Sequence, residues 1–592
     1  MRIQNNNLRR GNISIGIHLW TSSLEWMSVC TSAIIFAEVK RSIWMGGGLH
    51  ELRSLRQRFV QAMLPYFDTW IGLQGDAHVT YWLRQVLTEL GCFSECLNQI
   101  PPKSTPNNMF GLFLSVLSWV GLSPVPFLAN ILNTTEPALR LLISILLGYP
   151  LGIIYHKYVR KYPEYRNLYF VITGADIALY NFGKAIIHNT IPALMIYFTT
   201  YMFGPGKLNV IITFVFNMTY LIVGYIMTES ENYDITWTMP HCVLTLKLIA
   251  LSFDLWDGQK LLKGAELSEN SKKTALRVNP SLLELIGFVY FPACFLVGPI
   301  FSFKRYSDFL SERFPFDKEI VNTKHIYETK AMKRLIQGIA YLAAFQVGGS
   351  VFNVKYMLSD EFWETSIFYR HFYCGLWAHF ALYKYISCWL LTEASCIRIG
   401  ISYNRADETP GKLSNWDGCS NIKLLCFEGA TKFQHYIDSF NCNTNHFAAE
   451  YIYKRLKFLG NRNLSQLFTL FFLALWHGTR SGYYVTFFNE FIIIYMEKEF
   501  ESIISKTAIY HEMWQNKFAR YILYVILKTY TIVFMGWSLV PFDVKIISKW
   551  WSIYSSLYFS GFIIFLPWGF AYKPLLLWSL KYFNVRKVTK NE

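Results

Sequence analysis

The chain of 592 residues is 53% hydrophobic and only 16% charged, whereas soluble domains usually carry about 25% charged residues. Its net charge of +16 does not indicate nucleic-acid binding, because the lysines and arginines lie in short stretches between apolar runs, as in 156–161. The positive-inside rule places such residues on cytoplasmic loops, next to anionic lipid headgroups. The composition therefore excludes an ordinary soluble domain and predicts an integral membrane protein without a nucleic-acid partner.

Residues 1–105 differ from the rest of the chain. Residues 1–10 are polar and basic, and residues 12–37 are only moderately apolar and are interrupted by Glu25. Because this stretch lacks a compact apolar core followed by a small-residue cleavage site, we do not predict a signal peptide. We predict an atypical N-terminal extension over 1–105, which is compatible with one membrane or interfacial helix.

From Phe110 onwards, apolar runs follow one another regularly. Several reach the roughly 20 residues that a helix needs to cross the hydrocarbon core, and others are shorter. The pattern predicts an all-α, polytopic transmembrane helix bundle over residues 106–592, with about eleven helices, some of them broken or re-entrant. Pro292, Pro299 and Pro567 should bend or end their helices. The candidate spans are 110–132, 138–155, 168–183, 186–203, 208–227, 283–302, 335–352, 368–391, 465–477, 483–496, 521–540 and 555–572.

Basic stretches predict the orientation of the chain. The segment 156–166 and the C-terminal tail with Arg586 and Lys587 should be cytosolic. The short connection 133–137 would then be lumenal, and Asn133-Thr134-Thr135 within it is a glycosylation sequon. We find no internal repeat, and this disfavours a transporter built from two corresponding halves.

The most informative stretch for chemistry is 464–478, LSQLFTLFFLALWHG, where an apolar run ends at Trp476 and is followed by His477. An ionisable residue at membrane depth is costly and is therefore a functional candidate. Histidine also suits proton transfer near neutral pH. The alternative is that His477 only caps helix carbonyls or lies in the headgroup zone, and composition does not decide between the two.

A second polar cluster, 438–446, contains Asn441 and precedes a predicted amphipathic helix over 447–458 with Lys454, Arg455 and Lys457. The asparagines and threonine here could equally be helix caps, and the basic face of the helix could meet solvent or phosphates. Other polar residues in or near the apolar runs are expected mostly to form hydrogen bonds between helices. They are His241, Lys247, Asp254, Glu284, His371, His379, Lys384 and Glu393.

Familiar catalytic motifs are absent from the sequence. We find no Gly-x-Ser-x-Gly, no His-Glu-x-x-His, no Walker loop and no His-x-x-x-x-Asp. Cys92 and Cys96 have no second cysteine pair that would complete a zinc site. Covalent serine catalysis and metal-dependent hydrolysis lose support, and we predict no metal and no disulfide framework.

Around these clusters the chain resembles the membrane-bound O-acyltransferase family, in its lysophosphatidylcholine acyltransferase branch. The resemblance covers roughly residues 125–592, whereas the first hundred or so residues do not resemble the family's short N-terminal region. Phe447 also stands where a tryptophan is expected. The matching segments are SFNCNTN (439–445), YIYKRLKFLGN (451–461), LSQ (464–466) and FLALWHGTRSGY (472–483), with further matches at 232–249, 280–284, 295–299 and 382–393.

The resemblance implies that His477 is the catalytic histidine and Asn441 its partner. It also implies an endoplasmic reticulum membrane, acyl-CoA as co-substrate with no cofactor, and a tunnel inside the bundle that CoA enters from the cytosol. The expected reaction transfers an unsaturated acyl chain to the sn-2 hydroxyl of 1-acyl lysophospholipids, chiefly lysophosphatidylcholine, in phospholipid remodelling.

In the mechanism that we expect, His477 is the general base. Asn441 either orients the imidazole or donates a hydrogen bond to the oxyanion. Direct transfer is favoured, and Cys442 is the only tempting alternative nucleophile. The alternative functions are a protein or sterol acyltransferase of the same superfamily and, with less support, a transporter. The oligomeric state stays open.

Overall fold

The computed structural model describes residues 124–132, 134–229, 235–311, 316–404 and 416–583. The chain divides into two compact units, Met1–Thr134 and Thr135–Glu592. Helix α1 (Pro124–Ile131) belongs to the first unit. The predicted extension over 1–105, Asn133 of the sequon and the basic tail at Arg586 lie outside the described residues.

The second unit is built from helices. Its first half contains long hydrophobic helices together with several short ones. They are α2 (Glu136–Ile154), α3 (Pro163–Phe182), α4 (Ile187–Phe203), α5 (Lys207–Met227), α6 (Thr238–Leu262), α7 (Glu269–Thr274), α8 (Leu282–Val289), α9 (Phe303–Leu310), α10 (Phe316–Val351), α11 (Val354–Met357) and α12 (Asp360–Glu364). A π-helical turn, Tyr155–Val159, continues α2, and a 3₁₀ turn, Gly183–Ile186, joins α3 to α4.

The remaining helices of the second unit carry both candidate site residues. They are α13 (Ile367–Ile399), α14 (Leu424–Glu428), α15 (Phe433–Ser439), α16 (Cys442–Phe447), α17 (Arg462–His477), α18 (Ser481–Ile504), α19 (Ala508–Gln515), α20 (Lys517–Val544), α21 (Ile547–Ser556), α22 (Ser560–Phe565) and α23 (Tyr572–Tyr582). A π-helical segment, Ala448–Tyr453, and a 3₁₀ segment, Lys454–Leu459, connect α16 to α17.

Six helical segments in the described part of the chain are long and apolar enough to cross a membrane, and a bent pair of helices, Ser560–Trp568 and Tyr572–Tyr582, makes a seventh candidate. The prediction of a polytopic, helical membrane protein is confirmed, whereas the predicted number of about eleven helices is not confirmed. The six segments are Glu136–Val159, Pro163–Phe203, Lys207–Met227, Thr238–Leu262, Tyr327–Met357 and Lys517–Val544.

Helix α6 is a candidate span that the sequence analysis missed. Its Lys247, Asp254 and Asp257 interrupt the apolar pattern. However, 83% of its most apolar stretch is buried inside the protein, against 22% for α20. Surrounding helices shield these polar groups from lipid and supply their hydrogen-bond partners, as membrane interiors require.

The candidate span over 283–302 is not one continuous helix, which agrees with the expectation that its prolines bend or end it. Helix α8 ends at Val289, three residues before Pro292, and the chain then runs through turns and extended backbone to Ser302. Proline cannot supply the N–H of a continuing helix. Phe291, Cys294 and most neighbours in this segment are buried in protein, which is where non-helical backbone is tolerated at membrane depth.

Helix α13 is the packing centre of the second unit. It packs along α10 and also contacts α20 and α2. At the crossing with α20, Gly375 and Gly536 let the backbones approach closely. A Cβ on Gly536 would lie 2.5 Å from backbone atoms of Cys374. Small residues at such crossings are typical of membrane helices, because close packing replaces the hydrophobic driving force of water.

Polar residues within the apolar runs mostly bond between elements, as predicted. His241 Nδ1 lies 3.2 Å from Asn189 Oδ1, and Lys247 Nζ donates to the Phe288 carbonyl at 2.6 Å. Glu284 differs, because it closes a capping box with Ser281 in its own helix. The other pairs are Asp254 with Tyr451, His371 with Ser560, His379 with Glu428, Lys384 with Asp543, and Glu393 with Arg334.

Candidate active site

His477 is the last residue of α17, and local sequence explains why the helix ends there. The side chain of Asn461 caps the start of α17 by accepting from Leu464 N–H at 3.1 Å. At the other end, Gly478 adopts φ +142°, a conformation that side-chain-bearing residues rarely adopt. A Cβ on Gly478 would also lie 3.0 Å from the ring of Tyr483. The histidine is therefore held at a sharp exit from an apolar helix.

Trp476 fixes the end of α17 against two neighbouring helices. Its indole N–H donates to the backbone carbonyl of Cys242 in α6 at 2.8 Å. Its own carbonyl accepts from the hydroxyl of Tyr225 in α5 at 3.1 Å. These bonds satisfy polar groups that would be costly to leave unpaired in an apolar interior. They also leave little freedom for the adjacent His477 backbone.

The imidazole of His477 lies between aromatic rings. Tyr483 and Phe487 of α18 stack at centroid distances of 5.6 and 5.5 Å, and Phe542 of α20 meets the ring edge-on at 4.9 Å. The side chain is half-buried. Within the described part of the chain, its ring nitrogens make no hydrogen bond. The ring is thus held by packing against its aromatic neighbours.

Asn441 lies at the turn between α15 and α16 in the left-handed region, with φ 51° and ψ 44°. Asparagine adopts this conformation more readily than most residues. Asn441 occupies the N-cap position of α16, but its side chain makes no capping hydrogen bond there. Instead its Oδ1 accepts from the Nδ2 of Asn421 at 3.0 Å.

A two-stranded contact supports the turn that carries Asn441. Ile422 and Phe440 form an isolated antiparallel bridge, and Lys423 N–H donates to the Ser439 carbonyl at 2.9 Å. Sequence reasoning missed Asn421 altogether, because a short polar stretch before α14 has neither periodicity nor a motif.

His477 and Asn441 are not hydrogen-bonded to each other, but they sit on elements that pack together. Phe447, at the end of α16, stacks on Phe472 of α17 at 6.3 Å. Helix α20 contributes Phe542 to the wall around His477. Its Leu539 packs on the hydrophobic cluster that includes Trp389 and Phe427, and Phe440 packs on the same cluster. The two residues are therefore positioned by one connected set of helices.

A further expectation concerns Cys442, which follows Asn441 in the chain. Cys442 lies outside the candidate membrane spans; burial raises the pKa of its thiol, and its Sγ lies 3.5 Å from the Asp438 carbonyl. A raised pKa lowers the thiolate fraction and weakens the case for an acyl-enzyme.

The segment predicted as a helix over 447–458 is helical but irregular, with a π and a 3₁₀ portion. Its Arg455 pairs with Asp257 of α6, and its Lys454 pairs with Glu450. Lys457 is exposed. Two of the three basic residues thus pair with carboxylates of the protein itself. The expectation of a basic face that meets only solvent or phosphates does not describe these two residues fully.

Comparison with known proteins places the site in a family context. The model of the membrane-bound O-acyltransferase family matches residues 222–540, which include both His477 and Asn441. The chain is 40% identical to lysophospholipid acyltransferase 5 of Drosophila melanogaster over 442 residues, or 74% of this chain and 86% of that protein. It is 39% identical to lysophospholipid acyltransferase 5 of Homo sapiens over 467 residues, or 78% and 93% of the two chains. The protein of the same name from Mus musculus is 38% identical over 477 residues, or 80% and 95%.

Proposed function

Since this chain belongs to the membrane-bound O-acyltransferase family, we propose that it transfers an acyl chain from acyl-CoA to the free hydroxyl of a lysophospholipid. One observation carries the proposal: His477 is held by aromatic packing inside a membrane protein, with ring nitrogens that bond to none of the described residues. The names of the relatives support a lysophospholipid as the acceptor.

In this proposal His477 is the general base. The hydroxyl of a lysophospholipid is a poor nucleophile until its proton is removed, and a base within hydrogen-bond reach contributes about 100- to 10,000-fold to the rate. The imidazole becomes positively charged when it takes the proton. Its place at the C-terminal end of α17 offsets part of the cost of that charge in an apolar site, because the helix dipole is negative there.

The acyl group then moves in a single displacement. The activated oxygen attacks the thioester carbonyl, the carbonyl oxygen becomes an oxyanion, and the C–S bond breaks as the CoA thiolate leaves. A thiol with a pKa near 8–9 is a good leaving group. Asn441 acts on the oxyanion or on the imidazole, and a single oxyanion donor contributes roughly 3 kcal/mol. The proton held by His477 passes to the departing thiolate.

The finer parts of the proposal concern substrate and location. We assign the reaction to the endoplasmic reticulum membrane and to phospholipid remodelling, with lysophosphatidylcholine as the main acceptor and unsaturated chains as preferred donors. The basic stretches between spans suit the approach of CoA, whose phosphates are anionic, from the cytosolic side. If the protein acylated a protein or a sterol instead, the proposed acceptor would be wrong, while membership of the family would stand.

The test is acyl transfer in microsomes that contain wild type, His477→Ala or His511→Ala. Labelled unsaturated acyl-CoA is offered with lysophospholipids of different headgroups, with a sterol and with no added acceptor. His511 is an exposed histidine that contacts the Ser505 carbonyl, so its variant is the matched control. We expect labelled diacyl phospholipid from wild type and His511→Ala, and almost none from His477→Ala. Product on sterol or protein alone would contradict the lysophospholipid assignment, and equal product from all three proteins would remove His477 from the mechanism.

A further inference from the structure

Asn421 binds the turn that carries Asn441 through three of its polar groups. Its backbone carbonyl accepts from Cys442 N–H at 3.1 Å. Its side-chain Oδ1 accepts from Asn443 N–H at 2.9 Å, and its Nδ2 donates to Asn441 Oδ1 at 3.0 Å. Asn421 is only 2% exposed, so water does not compete with these bonds.

The same bonds determine which way both amide groups face. A backbone N–H can only donate, so the Asn421 atom beside Asn443 N–H must be the carbonyl oxygen. The other branch of the Asn421 amide is then its NH2 group, which also only donates. The Asn441 atom beside that group must therefore be Oδ1. It follows that the NH2 group of Asn441 points away from Asn421.

That NH2 group has no hydrogen-bond partner within the described part of the chain. The oxygen of Asn441, in contrast, already accepts a hydrogen bond. An amide oxygen can accept a second bond, but here the oxygen is turned toward Asn421 and the donor end is the one left open. Of the two roles considered for Asn441, this arrangement favours donating to the oxyanion over accepting from the imidazole.

We propose that Asn421 is a positioning residue that holds the Asn441 amide with its NH2 group toward the reacting acyl carbonyl. The inference rests on the proposed function, in which Asn441 serves the reaction at His477. Donors that are oriented before the reaction stabilise a developing oxyanion without reorganisation during the step. Asn421 supplies that orientation, because the left-handed turn at Asn441 alone leaves its side chain free to rotate.

The decisive variant is Asn421→Asp. It preserves size and the acceptor for Asn443 N–H, but it replaces the NH2 donor with an oxygen that repels Asn441 Oδ1. We expect the Asn441 amide to rotate and to present its oxygen to the reaction. The kcat for acyl transfer to lysophosphatidylcholine should fall about 10- to 100-fold. KM for both substrates should stay close to the wild-type values, because the lost interaction exists only in the transition state.

A double-mutant cycle separates positioning from general support of the turn. In the Asn441→Ala background there is no amide to orient, so Asn421→Asp should cost less than about twofold in kcat. A residue that only supports the turn would cost the same factor in both backgrounds. Ser420→Ala is the matched control, because it removes a side-chain bond to the Ile422 carbonyl from the same loop and leaves the Asn421 bonds in place.

Protein in detergent is first checked for monodispersity and its thermal unfolding midpoint. If Asn421→Asp does not fold, Asn421→Ala goes through the same cycle, since it keeps the backbone bond to Cys442 N–H. Wild-type kcat in the Asn421 variant, or an equal loss in both backgrounds, overturns the positioning role and leaves the proposed function intact. A folded wild type that acylates no lysophospholipid overturns the proposed function itself, and the inference with it.

Discussion

His477 and Asn441 are placed by different kinds of interaction. His477 ends a regular helix whose apolar face packs on α5 and α6, and its ring is held by Tyr483, Phe487 and Phe542. Asn441 lies in a left-handed turn that is held by hydrogen bonds to a segment twenty residues earlier in the chain. Packing thus holds the imidazole that we propose as the base, whose nitrogens bond to none of the described residues, and hydrogen bonds determine which end of the Asn441 amide is open. An amide has a donor end and an acceptor end, so the orientation of the Asn441 side chain decides which of its two roles it can take.

The largest effect on kcat is expected from removal of the packed imidazole of His477. His477→Ala should lower kcat by about 100- to 10,000-fold, because it removes the group that we propose takes the hydroxyl proton. The measurement is the steady-state rate of labelled diacyl phospholipid formation by purified protein. The thermal unfolding midpoint should fall only moderately, since the ring loses its packing against Tyr483, Phe487 and Phe542 but no hydrogen bond to the described residues. A rate within tenfold of wild type would show that the histidine packed at the end of α17 is not the general base.

A somewhat smaller effect on kcat is expected from Asn441, which is held by hydrogen bonds. Here a substitution can change the donor end of the amide and keep its acceptor end. Asn441→Asp keeps the size and the acceptor for Asn421 Nδ2 but replaces the open NH2 group with an oxygen. We expect kcat to fall by about 100- to 1,000-fold, at least as far as in Asn441→Ala, because the new oxygen repels the oxyanion. Activity in Asn441→Asp well above that of Asn441→Ala would mean that Asn441 accepts from the imidazole, and the donor role would be lost.

Gly478 tests whether the sharp helix exit matters to the packed region. Gly478→Ala places a Cβ at φ +142° and 3.0 Å from the Tyr483 ring. We expect destabilisation of about 1–3 kcal/mol and a parallel loss of activity, because the ring that stacks on His477 must move. Thermal unfolding and kcat are measured together, with Gly349→Ala as control, since a Cβ there meets nothing within 4 Å. Unchanged stability in Gly478→Ala would contradict this explanation of the helix end.

The smallest effect is expected from the bond that anchors Trp476. Tyr225→Phe removes the hydroxyl that donates to the Trp476 carbonyl at 3.1 Å and keeps the ring in place. The loss should be about 0.5–1.5 kcal/mol in stability, with kcat reduced by less than tenfold. Equilibrium unfolding in detergent and the standard transfer assay check it. A loss of activity as large as that of His477→Ala would show that hydrogen bonds, and not aromatic packing, place the base.

The same contrast explains how much could be predicted from sequence. The apolar run that ends at Trp476 and His477 predicted a helix over 465–477 that ends where α17 does, because a long apolar run is a local signal. Asn441 was named as a site residue only through the family resemblance of its segment, and its αL conformation and its partner Asn421 were not predicted. Asn421 was missed because a hydrogen bond across twenty residues leaves no mark on composition or period. Helix α6 was missed for a related reason: Lys247 and Asp254 lower its hydropathy, and only the folded structure shows the partners that make them tolerable.

The most direct test of the mechanism asks whether the acyl chain ever becomes attached to the protein. Purified wild type is mixed with acyl-labelled acyl-CoA, sampled without acceptor, and then given lysophosphatidylcholine; His477→Ala and Cys442→Ala are treated in the same way. We predict no protein-bound label at any time, labelled diacyl product only after the acceptor is added, product from Cys442→Ala, and almost none from His477→Ala. Label that is bound to wild type in proportion to enzyme and then passes to the acceptor would contradict direct transfer with His477 as the base.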